Sequence, residues 1–310
     1  MASSLKYTVH QYGAHELQRV GVWDLDVADK TRSKYWIVYI HGGAWRDPRI
    51  AHETFAPVIT RFLESDRSSN NNGSPGETRS SSSSSIPVAG FASIDYRLSP
   101  HPEFPQDPAH TPAEHFRGAR HPDHVDDVRA ALTFLQHRYA FGNRYVIVGH
   151  SAGACLAYQL VAGMSSSSVE KDSTNVTVEL PAAVFGVEGI YDMTGLDARF
   201  GGQYAGFLEG AFGPRDKWDE AAPMKYAGNY KDRFVTAGGR GLAVLGHSVD
   251  DELVDVPETD GMAERLRRDG VEVLLVKDLK GPHDDAWRDG RGVARTVLRV
   301  LDILREKARS

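Results

Sequence analysis

Ser151 has the surroundings of a serine nucleophile. It is the middle residue of Gly149-His150-Ser151-Ala152-Gly153, a G-x-S-x-G pattern with an apolar run before it at 144–148 and a small-residue helical pattern after it at 154–161. A sharp turn from strand to helix would lift the Ser151 hydroxyl clear of a sheet and direct the Ala152 N–H at a developing oxyanion. In a chain with 30 glycines the pattern alone is weak, and an ordinary glycine-rich turn is the alternative. The flanking strand and helix favour the nucleophile.

A general base and an acid that orients it are expected later in the chain, because folds with this turn use the order serine, acid, histidine. His283 follows the last predicted strand, and no other histidine lies between that strand and the C-terminus. Asp250 and Asp251 both follow the apolar run at 242–245. We prefer Asp251 as the acid, since the Asp-x-x-Val spacing found here in many hydrolases begins at that residue. The other aspartate is then a helix cap.

The loop after the apolar run at 35–40 is suited to supplying the remaining oxyanion donors. It reads His41-Gly42-Gly43-Ala44-Trp45, and its glycines leave backbone N–H groups open to a substrate. We assign Gly42 and Gly43 to the oxyanion hole, together with Ala152. His41 is expected to hold the loop through its ring nitrogens. Trp45 has two interpretations of equal weight, a wall of the substrate pocket or a core anchor.

Short apolar runs alternate with longer helical patterns along the chain. The predicted strands lie at 20–27, 35–40, 88–96, 144–148, 182–187, 242–245 and 271–276. Apolar residues recur with helical spacing at 123–138, 257–268 and 293–304. This alternation predicts an α/β protein with a mostly parallel central sheet flanked by helices on both faces. With the order of the motifs, it indicates an α/β-hydrolase fold.

The chain is expected to form a single domain over residues 1–310. Two serine-rich stretches, at about 65–85 and 164–175, hold too little apolar surface to offset the entropy of ordering them. We interpret both as disordered surface insertions, with regulatory phosphorylation sites as the alternative. A segment rich in glycine and aromatic residues, at about 199–224, is a candidate cap over the site.

The composition argues against several classes of protein, namely nucleic-acid-binding, membrane-spanning and secreted ones. Hydrophobic residues make up 41% of the chain, enough for a sizeable core, and charged residues 25%, an ordinary fraction for a globular protein, with a net charge of −6. The absence of a Lys/Arg-rich block argues against a nucleic-acid partner. No apolar run is long enough for a membrane span, and the N-terminus does not read as a secretion signal. The single cysteine, Cys155, fits a reducing compartment and predicts a cytoplasmic protein; a homodimer is left open.

A metal centre and a thiol nucleophile are weaker alternatives. Five histidines cluster in a proline-rich stretch without forming H-E-x-x-H: His101, His110, His115, His121 and His124. Loops rich in proline hold metal ligands poorly. Cys155, four residues after Ser151, is interpreted as a small buried core residue. We therefore expect neither a metal nor another cofactor.

The motifs together resemble those of the kynurenine formamidases, in particular their fungal branch, within the hormone-sensitive-lipase-like hydrolases. The resemblance extends over nearly the whole chain outside the serine-rich stretches. Its carriers are the motifs that start at His41, Asp95, Gly149, Gly189, Asp251 and His283, which read HGGAW, DYRLSP, GHSAG, GIYD, DEL and HDD. It implies hydrolysis of N-formyl-L-kynurenine to formate and L-kynurenine by the Ser151–His283–Asp251 triad, without a metal.

Substrate contacts are inferred from the same resemblance. They are Trp45, Glu188 and Tyr191. Two positions depart from the family pattern: Glu188 stands where a small polar residue is common, and Ala222 where serine is common. Two other functions stay open, a general carboxylesterase on the same fold and a ligand-binding protein on an inactive hydrolase scaffold. A complete triad favours the enzymes over the binding protein.

Overall fold

An eight-stranded sheet forms the centre of the described part of the protein. A computed structural model describes residues 5–25, 34–71, 88–166, 178–235 and 241–309, with backbone alone at 66–71 and 235. The strands are β1 (Lys6–Gln11), β2 (Arg19–Asp24), β3 (Tyr35–Ile40), β4 (Val88–Ile94), β5 (Tyr145–His150), β6 (Ala183–Val187), β7 (Leu242–Ser248) and β8 (Glu272–Leu279). Their order across the sheet is β1-β2-β4-β3-β5-β6-β7-β8. The β1–β2 and β2–β4 pairs are antiparallel, and every pair from β4 to β8 is parallel.

Helices cover both faces of this sheet. They are α1 (Ala56–Asn71), α2 (Asp123–Tyr139), α3 (Ala152–Ala162), α4 (Met193–Arg199), α5 (Ala205–Phe212), α6 (Trp218–Ala221), α7 (Tyr230–Val235), α8 (Val256–Arg268), α9 (Asp285–Arg288) and α10 (Arg291–Arg309). Helices α1 and α10 contribute to one hydrophobic core, and α2, α3 and α8 contribute to the other. Of the helices in the described ranges, none combines the length and apolar character needed to cross a membrane.

The central strands are buried on both faces, which explains their nearly unbroken apolar sequence. Every residue of β5, β6 and β7 is buried. A parallel strand with helices above and below has no solvent face, so it does not show the alternation of a half-exposed strand. The predicted α/β fold with a mostly parallel sheet is confirmed, and the helices predicted at 123–138, 257–268 and 293–304 correspond to α2, α8 and α10.

The first strand was not predicted from the sequence. The side chains of β1 alternate between exposed and half-buried, and the strand pairs only with β2 at the edge of the sheet. Most of its residues are polar or charged, so it lacks the apolar run that marks the central strands. Its place is decided by pairing with β2 rather than by its own hydrophobicity.

The start of the first serine-rich stretch differs from the prediction. Helix α1 continues through Asn71, so residues 65–71 have helical backbone instead of forming the start of an insertion. Extending an existing helix costs much less than starting one, and the first helix-breaking residue here is Gly73. Residues 72–85 and 167–175 of the two predicted insertions lie outside the described residues.

Two glycines allow the turn between β5 and α3 to pack closely against neighbouring backbone of the same protein. A Cβ on Gly153 would lie 2.1 Å from the carbonyl oxygen of Ile40, and a Cβ on Gly149 would lie 2.4 Å from the carbonyl oxygen of Gly153. No real side chain tolerates such distances, and both obstacles are backbone atoms that cannot rotate away. The glycines of the G-x-S-x-G pattern are therefore required by packing as well as by the turn.

We expect Gly153→Ala to lower the free energy of unfolding by about 1–3 kcal/mol or more, because the added methyl group must displace the backbone after β3. Gly206→Ala is the matched control, since no atom lies within 4 Å of the Cβ it would add. That change should be neutral or slightly stabilising, because alanine favours the helix. Urea unfolding followed by circular dichroism measures both. Equal midpoints for Gly153→Ala and the unchanged protein would contradict this account of the turn.

Candidate active site

Ser151 lies at a strained turn between β5 and α3. Its φ and ψ are +55° and −121°, a conformation that residues with a side chain rarely adopt. The Ser151 N–H donates to the carbonyl oxygen of Val187 at 2.9 Å, which fixes the turn against the end of β6. The residue is 6% exposed and contributes to the wall of a cavity. This is the geometry that the G-x-S-x-G pattern predicts.

The glycine loop after β3 lies beside this turn. A Cβ on Gly42 would be 3.0 Å from the Cβ of Ser151, so the loop approaches the serine as closely as glycine permits. Gly43, Ala44 and Trp45 have φ values of +89°, +50° and +60°, and this left-handed run turns the loop back on itself. Neither Gly43 nor Ala152 donates its N–H to a backbone acceptor in the described ranges. These N–H groups therefore remain available to a ligand.

A buried polar cluster holds the glycine loop in place. The Tyr96 hydroxyl donates to the carbonyl oxygens of His41 and Gly42, both at 3.1 Å. The His41 ring stacks on Tyr96 with centroids 4.5 Å apart, and its Nδ1 donates to the carbonyl oxygen of Gly42 at 2.9 Å. Burial lowers the pKa of His41 although Asp95 opposes the shift, so the ring is neutral. His41 is therefore one of the side chains that contact and support the loop.

Asp251, and not Asp250, pairs with His283. The Nδ1 of His283 donates to Oδ2 of Asp251 at 2.8 Å. The other oxygen of Asp251 accepts from the N–H groups of Leu253 and Val254, both at 2.9 Å. Asp250 is exposed, and its carboxylate instead accepts from the Gly281 N–H at 3.3 Å. Of the two aspartates, Asp251 is thus the one in contact with the imidazole.

The loop that carries His283 is tied to the loop that carries Asp251. The hydroxyl of Ser248, at the end of β7, donates to the carbonyl oxygen of Gly281 at 2.7 Å. The His283 N–H donates to the carboxylate of Glu252 at 3.0 Å. Several hydrogen bonds between the loops thus set the position of the imidazole, which lines the same cavity as Ser151.

Charge around His283 raises its pKa above the ordinary histidine value. Burial alone lowers the pKa of His283, but the hydrogen bond and charge of Asp251, with Glu188 and Asp284, outweigh it. The pKa of Asp251 is in turn held below its ordinary value. Burial raises this pKa, but the contacts with His283 and with two backbone N–H groups lower it by a larger amount. Asp251 is therefore ionised at neutral pH, and it stabilises the imidazolium form of its partner.

A cavity of about 300 Å³ lies over Ser151 and His283. Aromatic side chains form part of its wall: Tyr204 and Phe207 from the segment around α5, and Trp287 from α9. Arg46 contributes a cation to the same wall, with its guanidinium 5.6 Å from the centroid of the Phe207 ring. Sequence reasoning did not identify these four residues. The predicted cap at 199–224 contains two of them, and Arg46 directly follows the glycine motif.

The three predicted substrate contacts do not line this cavity. Trp45 is fully buried beneath it, and its ring meets Phe212 edge-on at 4.9 Å between centroids. Tyr191 is also fully buried and packs edge-on against Tyr158. Glu188 is buried, with its Oε2 3.5 Å from Nε2 of His150 and 3.9 Å from Nδ1 of His283. Ala222 is buried as well. The correction has one physical reason: each side chain points from its motif into the core instead of into the cavity.

Three of the histidines in the proline-rich stretch have separate partners. His110 pairs with Asp107 at 2.6 Å, His115 with Glu16 at 2.7 Å, and His124 with the Ser99 hydroxyl at 3.0 Å. Cys155 is fully buried in α3, and burial raises the pKa of its thiol well above the ordinary range. A thiol in that state is a poor nucleophile. Neither alternative chemistry gains support from the structure.

Within the described ranges, a different group of side chains comes close enough to reach one ion. The group is His150, Glu188 and His283, whose ligand atoms all lie within 4.8 Å of one another. Both ring nitrogens on this side already donate hydrogen bonds, from His283 Nδ1 to Asp251 and from His150 Nε2 to the carbonyl oxygen of His283. A metal would have to displace both protons, so these donors fit a hydrogen-bonded charge cluster better than a metal centre.

We expect Asp251→Asn to lower kcat by about 10⁴-fold, because asparagine favours the wrong imidazole tautomer; this magnitude is taken from the serine-protease triad. Asp250→Asn is the matched control, with the same chemical change one residue away on an exposed side chain, and it should have little effect. Steady-state hydrolysis of a 4-nitrophenyl ester measures both. A larger loss for Asp250→Asn would show that the assignment of the acid is wrong.

Three comparisons place the chain among known proteins. No family model matches it. The chain is 36% identical over 283 residues to a kynurenine formamidase from Aspergillus versicolor, with 84% of this chain and 86% of the relative covered. It is 35% identical over 278 residues to a kynurenine formamidase-like hydrolase from Fusarium equiseti, with 88% and 84% covered. A kynurenine formamidase from Meyerozyma guilliermondii is 26% identical, with 90% and 87% covered.

Several solved structures with the same fold are esterases. Inhibited esterase B from Lactobacillus rhamnosis superposes with a TM-score of 0.67 at 13% identity, covering 99% of this chain and 90% of that chain. An esterase/lipase from an uncultured bacterium gives a TM-score of 0.60 at 16% identity, covering 100% and 87%. Likeness at this level of identity shows the α/β-hydrolase fold alone, whereas the curated relatives are close enough to show the family. The protein is a hydrolase of the α/β-hydrolase fold, and it belongs to the kynurenine formamidase family.

Proposed function

We propose that the protein hydrolyses the formyl amide of N-formyl-L-kynurenine to formate and L-kynurenine. The observation that carries this proposal is the hydrogen bond between Asp251 and His283 at a cavity that Ser151 shares. Membership of the formamidase family supports the choice of substrate, since the relatives from Aspergillus versicolor and Meyerozyma guilliermondii are named for that activity.

In the first half of the reaction, the Ser151 hydroxyl attacks the formyl carbonyl carbon. The hydroxyl proton passes to Nε2 of His283, while Asp251 holds the Nδ1 proton. The N–H groups of Gly42, Gly43 and Ala152 are the proposed donors to the oxyanion. His283 then gives its proton to the anilide nitrogen, the carbon–nitrogen bond breaks, and L-kynurenine leaves with a formyl ester on the serine.

Water completes the second half of the reaction. His283 takes a proton from a water molecule, whose oxygen attacks the formyl ester, and the same oxyanion donors stabilise the second tetrahedral intermediate. The proton returns from His283 to the Ser151 oxygen as formic acid is released, so the enzyme regains its starting state, and formic acid loses its remaining proton to the solvent to give formate. The anilide nitrogen shares its lone pair with the aromatic ring, which makes its carbonyl more electrophilic than that of a peptide. A triad without a metal is sufficient for this bond.

The cavity wall suits an aromatic substrate that carries an amino acid. Tyr204, Phe207 and Trp287 offer ring faces and edges to the kynurenine ring. Arg46 is half-buried, and burial lowers its pKa even though Asp47 and Glu103 oppose the shift. The carboxylate of Asp47 is engaged with Arg49 at 2.7 Å. We propose that the Arg46 guanidinium binds the substrate's α-carboxylate.

Two other functions compete with this proposal. A general carboxylesterase would share the fold and the triad, but it would turn over longer acyl esters faster than the formyl amide. A ligand-binding protein on an inactive scaffold would lack hydrolysis altogether, and the assembled Asp251–His283 pair argues against it. The family relationship favours the formamidase over both.

The cellular location and the kind of partner are proposed from the single cysteine and the net charge. We propose a cytoplasmic enzyme, because its single cysteine is buried and free and suits a reducing compartment. The net charge of −6 supports a small-molecule partner over nucleic acid. A homodimer stays a prediction.

We expect kcat/KM for N-formyl-L-kynurenine to exceed that for N-acetyl-L-kynurenine by at least about 10–200-fold, because an added methyl group must fit beside the oxyanion loop. Steady-state kinetics with both amides, and with 4-nitrophenyl acetate and butyrate, measure the preference. If the butyrate ester is turned over faster than formylkynurenine, the carboxylesterase interpretation is correct instead.

The proposed role of Arg46 is testable with a substrate that lacks the amino-acid group. Arg46→Met should raise KM for N-formyl-L-kynurenine by about tenfold or more, through loss of a charge-assisted hydrogen bond. It should leave kcat/KM for 2′-formamidoacetophenone nearly unchanged, because that molecule keeps the formyl anilide and the ketone but has no α-carboxylate. Equal losses on the two substrates would contradict carboxylate binding by Arg46.

A further inference from the structure

A buried carboxylate that the triad does not use lies behind His283. Glu188 directly follows β6, is 1% exposed and has a φ of +50°, a left-handed conformation that is uncommon for a residue with a side chain. Its Oε1 accepts a hydrogen bond from the Ser248 N–H at 3.2 Å. Its Oε2 has no hydrogen-bond partner among the described residues. A buried carboxylate oxygen without a donor is costly, and such groups in native proteins commonly serve a function.

Two imidazole rings face this unpaired oxygen. Oε2 of Glu188 is 3.9 Å from Nδ1 of His283 and 3.5 Å from Nε2 of His150. The His150 nitrogen already donates its proton to the carbonyl oxygen of His283 at 3.1 Å. The His283 nitrogen is the one that donates to Asp251 at 2.8 Å. Glu188 and Asp251 therefore approach the same nitrogen of the His283 ring.

We propose that Glu188 is a positioning residue that acts as a second carboxylate for His283, sharing with Asp251 the stabilisation of its imidazolium form. When the Ser151 proton moves to Nε2, the ring becomes positively charged. A second negative charge 3.9 Å from Nδ1 favours that charged form. The inference rests on the proposed function for its physiological substrate, but it applies to acyl transfer by Ser151 from any substrate.

Other charged groups near His283 do not take this place. The titratable groups that face it are Asp251, Glu188, Asp284, Glu252 and His150. Glu252 is exposed and binds the backbone N–H of His283, and Asp284 is half-buried at the cavity. Water screens exposed charges more strongly than buried ones. After Asp251, Glu188 is thus the carboxylate with the least screened contact to the ring.

The test replaces Glu188 by its neutral isostere. The acid limb of the kcat/KM profile reports the pKa of His283, because the reaction needs its neutral form. Glu188→Gln removes a negative charge beside the ring, so it should move this limb to lower pH by about 0.5–1 unit, with a loss of kcat on the order of tenfold. KM should change little. Asp250→Asn removes one carboxylate on an exposed neighbouring residue and should leave the limb in place. An unshifted limb in Glu188→Gln would overturn the proposal.

Two further variants separate a charge effect from a structural one. Glu188→Asp keeps the charge and should restore the limb toward its wild-type pH, even if the shorter side chain lowers stability. In the Asp251→Asn background, adding Glu188→Gln should cost on the order of another tenfold in kcat, because no buried carboxylate then remains beside His283. No recovery by aspartate, or no added loss in the double variant, would count against the proposal.

The choice of substrate keeps this test separate from the proposed function. Each variant is assayed with N-formyl-L-kynurenine and with 4-nitrophenyl acetate, whose hydrolysis also passes through protonated His283. If only the ester is turned over, the formamidase proposal fails while the pH shift still tests Glu188. If both substrates are turned over and neither profile moves in Glu188→Gln, the second-carboxylate proposal fails on its own.

Discussion

The closeness of two backbone segments is the constraint on which the rest of the site depends. The turn after β5 presses so tightly on the chain after β3 that a methyl group at Gly153 would lie 2.1 Å from the Ile40 carbonyl oxygen. This contact places Ser151, whose φ is +55°, beside the glycine loop. The hydrogen bonds from Tyr96 to that loop then keep its N–H groups beside the serine. The proposed nucleophile and oxyanion donors are thus positioned together by this packing contact and these hydrogen bonds.

Buried charged groups around His283 are the second feature that organises the site. The imidazole lies between the cavity and a pair of acids, Asp251 and Glu188, with His150 against its ring at 4.5 Å between centroids. Burial opposes the charged form of His283, and the acids favour it. The balance leaves an imidazole whose pKa is set mainly by buried groups, which is typical of groups in active sites.

Some residues of the family motifs lie beneath the cavity instead of in its wall. Trp45 supports Phe212 and lies 6.1 Å from Phe207 between ring centroids, so it positions a wall instead of forming one. The backbone N–H of Asp192, in the Ile-Tyr-Asp motif, donates to the buried carboxylate of Glu258 at 2.7 Å, and Glu258 also pairs with Arg199 at the end of α4. The motifs thereby connect the sheet to the helical segment that shapes the substrate side.

The sequence by itself determined the fold class and predicted Ser151, His283 and an aspartate after the apolar run at 242–245 as a triad, because these depend on local order: an apolar run, a turn, and a polar residue at a fixed place after a strand. Tertiary structure alone decided which side chains face the cavity. Trp45 and Tyr191 have the chemistry of substrate contacts, yet their backbone directs them into the core. Arg46 and Phe207 reach the cavity from segments far apart in the chain. The edge strand β1 could not be predicted from hydrophobic periodicity either, since its position comes from pairing with β2. The direction in which a side chain points depends on how segments far apart in the chain pack together. Local patterns in a single sequence do not show that packing.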